Sequence, residues 1–156
     1  MRLRVLAVGR SRASWARDAQ SIYLERLQRY GRVECVEIRA ARGAAAGEPR
    51  RAVEDEGARI LKALRPSERL IVLDEGGDAT TSEGLARWLA RWQQDGRDLA
   101  FVIGGAHGLA STVRERAERH VSLSPLTLPH LLARVVFLEQ LYRAHTLLRG
   151  EPYHHS

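Results

Sequence analysis

Residues Leu99 to Gly108 read LAFVIGGAHG: five apolar residues without a break, then a turn holding three glycines. A strand with one face in water alternates apolar and polar residues, whereas a strand covered on both faces does not. LAFVI is therefore predicted to be a strand between two layers, and Leu70–Leu73, LIVL, reads the same way. Working outward, Leu3–Val8, Val33–Ile38 and Val121–Leu123 are the other strand-like runs. Helical patterns fill the intervals at about 14–30, 50–65, 82–95 and 111–120, with a last one at 130–148. Thr80-Thr81-Ser82-Glu83 has the spacing of a capping box, and Gly96 supplies a helix stop. Strictly alternating strand and helix predict an α/β fold, a parallel-type sheet with helices on both faces. A length of 156 residues suits a single domain over 1–156. No internal repeat is visible, and Ala41–Arg50, ARGAAAGEPR, is expected to be a mobile loop.

The formal charge of +6 favours anionic partners without identifying them. Residues 1–65 carry 15 basic and 8 acidic groups, residues 66–156 carry 10 and 11, so the basic surplus lies in the first half. Lys62 is the only lysine among 25 basic residues, and arginine suits bidentate phosphate contacts. Cys35, the only cysteine, rules out an internal disulfide and reads as core in the strand VECVEI. The apolar start MRLRVLAVGR is too short for a signal peptide and is interrupted by Arg4, and no run reaches membrane-spanning length. The expectation is a cytoplasmic protein with no membrane segment.

In open parallel sheets, ligands bind beyond the carboxyl ends of the strands. Three such ends stand out: LIVLDEGG at Leu70–Gly77, FVIGGAHG at Phe101–Gly108, and VSLSPLTLPH at Val121–His130. GGAHG admits two readings, a close approach of ligand to backbone or a tight turn into the next helix. It is not a dinucleotide fingerprint, and no GK[ST] is present. Asp74 and Glu75 read as acid–base candidates or as polar turn residues. The six histidines show no metal-ligand spacing, and His154-His155 reads as a tail before it reads as a metal site; no metal is expected. LSPLTLPH, bracketed by Pro125 and Pro129, is either an ordinary buried connection or a cradle that holds a ligand through backbone groups. In the last helix, Leu131, Leu132, Val135, Val136, Leu138, Leu141, Leu147 and Leu148 spread round more than one face, which predicts packing on the sheet and on a second copy of the chain. His130, Arg134, His145 and Arg149 are expected to form one polar stripe, and Glu139, Gln140 and Arg143 another. Glu139 and Arg143 also have the spacing of a plain helix ion pair.

LIVLDEGG, FVIGGAHGL, VSLSPLTLPHLLARVVFLEQLYRA, the closing PYHHS and the opening LAVGR together resemble the family of the ribosomal RNA large-subunit methyltransferase H, of the SPOUT class. The resemblance runs essentially end to end. It implies a SPOUT fold with a C-terminal trefoil knot, which ordinary chain topology would not suggest. It also implies a homodimer that uses S-adenosyl-L-methionine to methylate N3 of a pseudouridine in large-subunit (23S) rRNA within the assembled ribosome. By this resemblance, Leu73, Gly104, Leu123, Ser124, Pro125, Leu126, Thr127 and Leu128 bind the cofactor, between apolar walls and backbone groups. His130, Arg134, Glu139, Arg143, Tyr153, His154 and His155 are the catalytic candidates. Tyr153 and the tail imidazoles would hold or deprotonate the base, and Arg134 or Arg143 would contact phosphate or carbonyl oxygen. Family members often carry Arg or Lys after PYH, where His155 stands here. His107 receives no role. Two other readings compete: a SPOUT enzyme for a different RNA, and a non-catalytic nucleic-acid-binding dimer.

Overall fold

The computed structural model describes residues 1–42 and 47–155, so part of the loop expected over Ala41–Arg50 lies outside the described residues. Five strands, β1 (Leu3–Val8), β2 (Val33–Ile38), β3 (Arg69–Ala79), β4 (Leu99–Ile103) and β5 (Arg119–Ser122), form one sheet in the order β2-β1-β4-β3-β5. All four pairings are parallel. The central strands β1 and β4 are buried along their whole length, as their unbroken apolar runs require.

The pleat divides the core between two faces. Val5, Ala7, Ile71, Leu99, Phe101 and Ile103 pack with helices α1 (Ser14–Leu27), α3 (Ser82–Gln94) and α5 (His130–Arg149). Leu6, Val8, Leu70, Val72, Ala100 and Val102 face α2 (Pro49–Ala63) and α4 (Ser111–Arg116). Burial of these two layers, at about 25 cal/mol per Å² of apolar area, is the main force holding the sheet together.

Several expectations from the sequence need correction. β3 does not stop at Leu73. The DEGG segment bulges out, and Asp78 and Ala79 rejoin β5 opposite Val121 and Ser122. Gly77 permits this, because a Cβ there would stand 2.6 Å from the Val121 nitrogen. Helix α4 ends at Arg116 and not near 120, since Glu118 N–H already donates to Leu70 O at 2.8 Å and starts β5. In α3 the cap is Thr81, whose Oγ1 accepts from Gly84 N at 3.1 Å, so Glu83 sits one position early for a reciprocal box. The polar stripe expected on α5 is broken in its middle, Arg149 being exposed while the two stripe residues before it are buried. Arg134 is fully buried and His145 nearly so, His145 stacking on Tyr30 at 4.9 Å, because α5 lies between α1 and α3 and has little free surface.

Candidate functional site

The carboxyl ends of β3, β4 and β5 open into a cleft of about 690 Å³. Leu73, Ile103, Leu109, Leu123, Leu126 and Leu128 give it apolar walls, and Gly104, Gly105 and Gly108 bring backbone to its surface. Ser124, Thr127 and Pro129 complete the wall that leads into α5, where His130 and Ala133 close it. Of the eight residues expected to bind cofactor, seven line this one space. Pro125 is exposed and stands outside it. The loop is shaped locally: Ser124 Oγ accepts from Leu126 N at 2.9 Å, and Ser122 Oγ donates to Ser124 O at 3.0 Å. This turn pushes Leu126 outward, 73% exposed, at the lip of the cleft.

Gly104 is needed for a reason other than ligand approach. A Cβ on it would meet Gly108 O and Leu109 Cγ, each at 3.0 Å, so the residue lets the GGAHG turn fold back on itself. The Gly105–Gly108 bridge closes that turn. Asp74 and Glu75 line the cleft opposite. Asp74 pairs at 2.6 Å with Arg114, itself on the cleft wall, while Glu75 is exposed, so this side of the cleft carries acceptor oxygens and a cation.

The catalytic candidates divide into two groups. His130 belongs to the cleft, and burial, with the neighbouring Arg134 charge, pushes its imidazole below the usual range, which keeps it neutral at pH 7. Arg134 lies behind it, where Nη2 donates to Val8 O and Gly9 O at 2.6 and 2.7 Å and Nη1 faces Glu37 at 3.5 Å. Buried and so committed, it ties α5 to the end of β1 and presents nothing to phosphate. Glu139, Arg143, Tyr153 and His154 form the second group, roughly 14–20 Å along the α5 axis from His130. Arg143 donates to Glu139 Oε1 through Nε and Nη2 at 3.0 and 2.6 Å, and Tyr153 OH donates to the same oxygen at 3.1 Å. The Arg143 guanidinium also lies over the Tyr153 ring at 4.7 Å, and that ring meets Tyr142 edge-on. Burial, then the Tyr23 hydroxyl and the Glu139 carboxylate, hold the Tyr153 phenol well above its ordinary range, so it stays protonated.

His154 spans two partners, Arg143 Nη1 on Nδ1 at 3.3 Å and Glu83 Oε1 on Nε2 at 2.9 Å. A neutral ring with its proton on Nε2 satisfies both. The sequence did not mark Glu83 as a tail contact, because its spacing pointed to a helix cap. Its carboxyl is drawn down to about 2 by its own backbone N–H, then by Thr81 and His154. The tail is thus docked on α5 and α3 through Tyr153 and His154, while His155 is exposed. Among the described residues no group of His, Cys, Asp and Glu is placed to hold a metal ion, and no helix is long and apolar enough to cross a membrane.

Comparison with known proteins places this cleft in context. The family model described as "Predicted SPOUT methyltransferase" matches residues 1–154. A protein of Anaeromyxobacter dehalogenans named ribosomal RNA large subunit methyltransferase H is 51% identical over 99% of both chains. Proteins of the same name from Alkalilimnicola ehrlichii and Gloeobacter violaceus are 47% and 46% identical, each match covering all of both chains.

Proposed function

The chain belongs to the SPOUT methyltransferase family, and we propose that it is an S-adenosyl-L-methionine-dependent enzyme that methylates N3 of a pseudouridine in large-subunit rRNA, on the assembled ribosome, as a homodimer. The observation that carries this reading is the cleft itself: LSPLTL and the two glycine-bearing strand ends converge on one apolar, backbone-lined space in a chain similar end to end to large-subunit rRNA methyltransferases. The residues fit the cofactor. Adenine suits the leucine walls, ribose hydroxyls suit Glu75, and a sulfonium cation suits a cleft edged by Asp74 and Glu75.

When bound, the cofactor supplies an activated methyl group for direct displacement. The chain must then position N3, exclude water and remove the imide proton. His130, neutral and in the cleft, is the acceptor we assign for that proton. Tyr153, kept protonated, serves as a donor and as a ring on which a base can stack. Arg143 steadies the tail and adds positive charge beside it.

A tail docked three to four turns from its own cleft needs a second chain to reach a cleft. The exposed Leu132 on α5, with Trp15 and Ile22 on α1, offers an apolar surface for a two-fold contact. In such a dimer the tail of one subunit completes the cleft of the other. Nucleoside mass spectrometry of large-subunit rRNA from a strain lacking this chain tests the function. Loss of one N3-methylpseudouridine, restored with the gene, supports it. Loss of a methyl group from another RNA would indicate a different SPOUT substrate, and no loss would indicate a binding protein.

A further inference from the structure

A second, smaller cavity of about 230 Å³ adjoins the cofactor cleft. It opens at the carboxyl ends of β1 and β2, between Val8 and Gly9 on one side and Ala40 and Ala41 on the other, with Glu56 of α2 as its polar wall. Gly105, Ala106 and His130 line both spaces, so the two meet along one short segment. Glu56 is only 8% exposed. Its Oε1 accepts from Ala41 N at 2.9 Å. Its Oε2 accepts no hydrogen bond and meets no cation among the described residues. That oxygen stands 2.9 Å from where a Cβ on Gly105 would be, which only glycine leaves open. Facing the cavity, this oxygen is an acceptor that a ligand N–H can take.

The rim carries the opposite charge. Arg10, Arg39 and Arg42 are the chain neighbours of Gly9, Ala40 and Ala41; all three are exposed and unpaired among the described residues. Arg59 braces the same edge by donating to Arg39 O and Ala40 O at 2.6 and 3.0 Å. A small cavity with the Glu56 carboxylate and the His107 and His130 imidazoles on its wall, and guanidinium groups outside, matches a single flipped nucleotide, base inward and phosphates on the rim.

We infer that this cavity seats the target base and that Glu56 Oε2 accepts a ring N–H, which makes Glu56 a specificity-determining residue. The inference rests on the pseudouridine reading. With N3 turned toward the methyl donor, pseudouridine still has its N1–H to offer, whereas the N1 of uridine is the glycosidic nitrogen and carries no proton. A carboxylate acceptor placed beside the cleft therefore separates the two bases, and a site built to bind an N–H rejects the analogue that lacks it.

Glu56→Gln keeps the Ala41 bond through its carbonyl oxygen and turns an NH₂ into the cavity, donor against donor. It should lower kcat/KM on ribosomes carrying pseudouridine by roughly tenfold to a hundredfold. Preference over ribosomes with uridine at that position should collapse, while calorimetric affinity for S-adenosylmethionine stays within about twofold. Ala40→Val, which fills the cavity away from the cofactor cleft, should abolish turnover with the same cofactor affinity; it decides the matter if Glu56→Gln fails to fold. Unchanged kcat/KM and preference in Glu56→Gln, or undiminished turnover in Ala40→Val, overturns the inference and leaves Glu56 as a tether for Ala41. A parallel loss of cofactor affinity overturns it too, since Glu56 would then be scaffold for the cleft. A wild type that methylates no rRNA overturns the function reading and this one with it, so the control separates the two failures.

Discussion

The two ends of the sheet are built from the same five strands and could hardly differ more. At the amino end, charge zips the edges together. Arg4 meets Glu68 at 2.9 Å and Glu34 at 3.2 Å; Arg69 meets Asp95 and Glu118, each at 2.8 Å; and Arg97 adds Glu118 at 2.7 Å. Asp98 accepts from Arg2 N at 2.7 Å, closing the start of β4 onto β1. At the carboxyl end, DEGG, GGAHG and SPLTLP leave the strands open, with a cleft and a smaller cavity where the other end has ion pairs. Substitutions at one end should therefore act on stability, and at the other on chemistry.

The largest expected effect lies on the open side. Removing residues 153–156 should cut methyl transfer about a hundredfold or more, the scale of losing a group that acts in the transition state. Calorimetry should show cofactor affinity retained, and a parallel loss of affinity would mean that the tail props up the cleft.

At the closed end, Glu68→Ala should cost about 3 kcal/mol, because it leaves the buried Arg4 guanidinium with only the partly exposed Glu34 and the Ala63 carbonyl. Denaturant unfolding measures that cost, and turnover per folded molecule should be unchanged. A fall in turnover at full folding would blur the division between the two ends.

A smaller effect comes from His145, stacked under Tyr30 on α5. Burial, with Arg149 nearby, pushes its imidazole down to about 4. The neutral ring is the form that folds, so the unfolded chain takes up the proton first as acid is added. Stability is complete above the ordinary histidine value, near 6.5, and falls as pH drops from there toward 4, by roughly 3 kcal/mol at most. His145→Phe keeps the stack and should flatten that slope in unfolding midpoints measured from pH 4 to 7. An unaltered slope would assign the acid sensitivity elsewhere.

Much of this division was legible in the sequence, for physical reasons. Apolar runs such as LAFVI can sit only between two layers, and β1, β2 and β4 begin and end where their runs do. The cleft residues were legible because strand ends in a parallel sheet must converge. The bulge in β3 was not, since DEGG looks like a turn until Gly77 is seen to admit the Val121 backbone. Arg134 misled because a charged residue at helical spacing from His130 suggests a surface stripe. Only the packing of α5 between two helices shows that its guanidinium spans to the end of β1. Glu56 gave no signal, as one acidic residue in an amphipathic helix looks like solvated surface. A knot would leave no trace in periodicity, and the expectation of one rests on resemblance alone.

Whether each active site joins the cleft of one subunit to the tail of its partner is tested most directly with mixed dimers. One arrangement pairs a chain lacking residues 153–156 with a chain carrying Gly104→Val, which disrupts the turn beneath the cleft. The other puts both lesions in one chain beside an intact partner. If the tail serves the partner's cleft, the first arrangement methylates rRNA, because the intact tail meets the open cleft, and the second is inactive. Activity in the second and none in the first would contradict this, and would place each tail at work on its own chain.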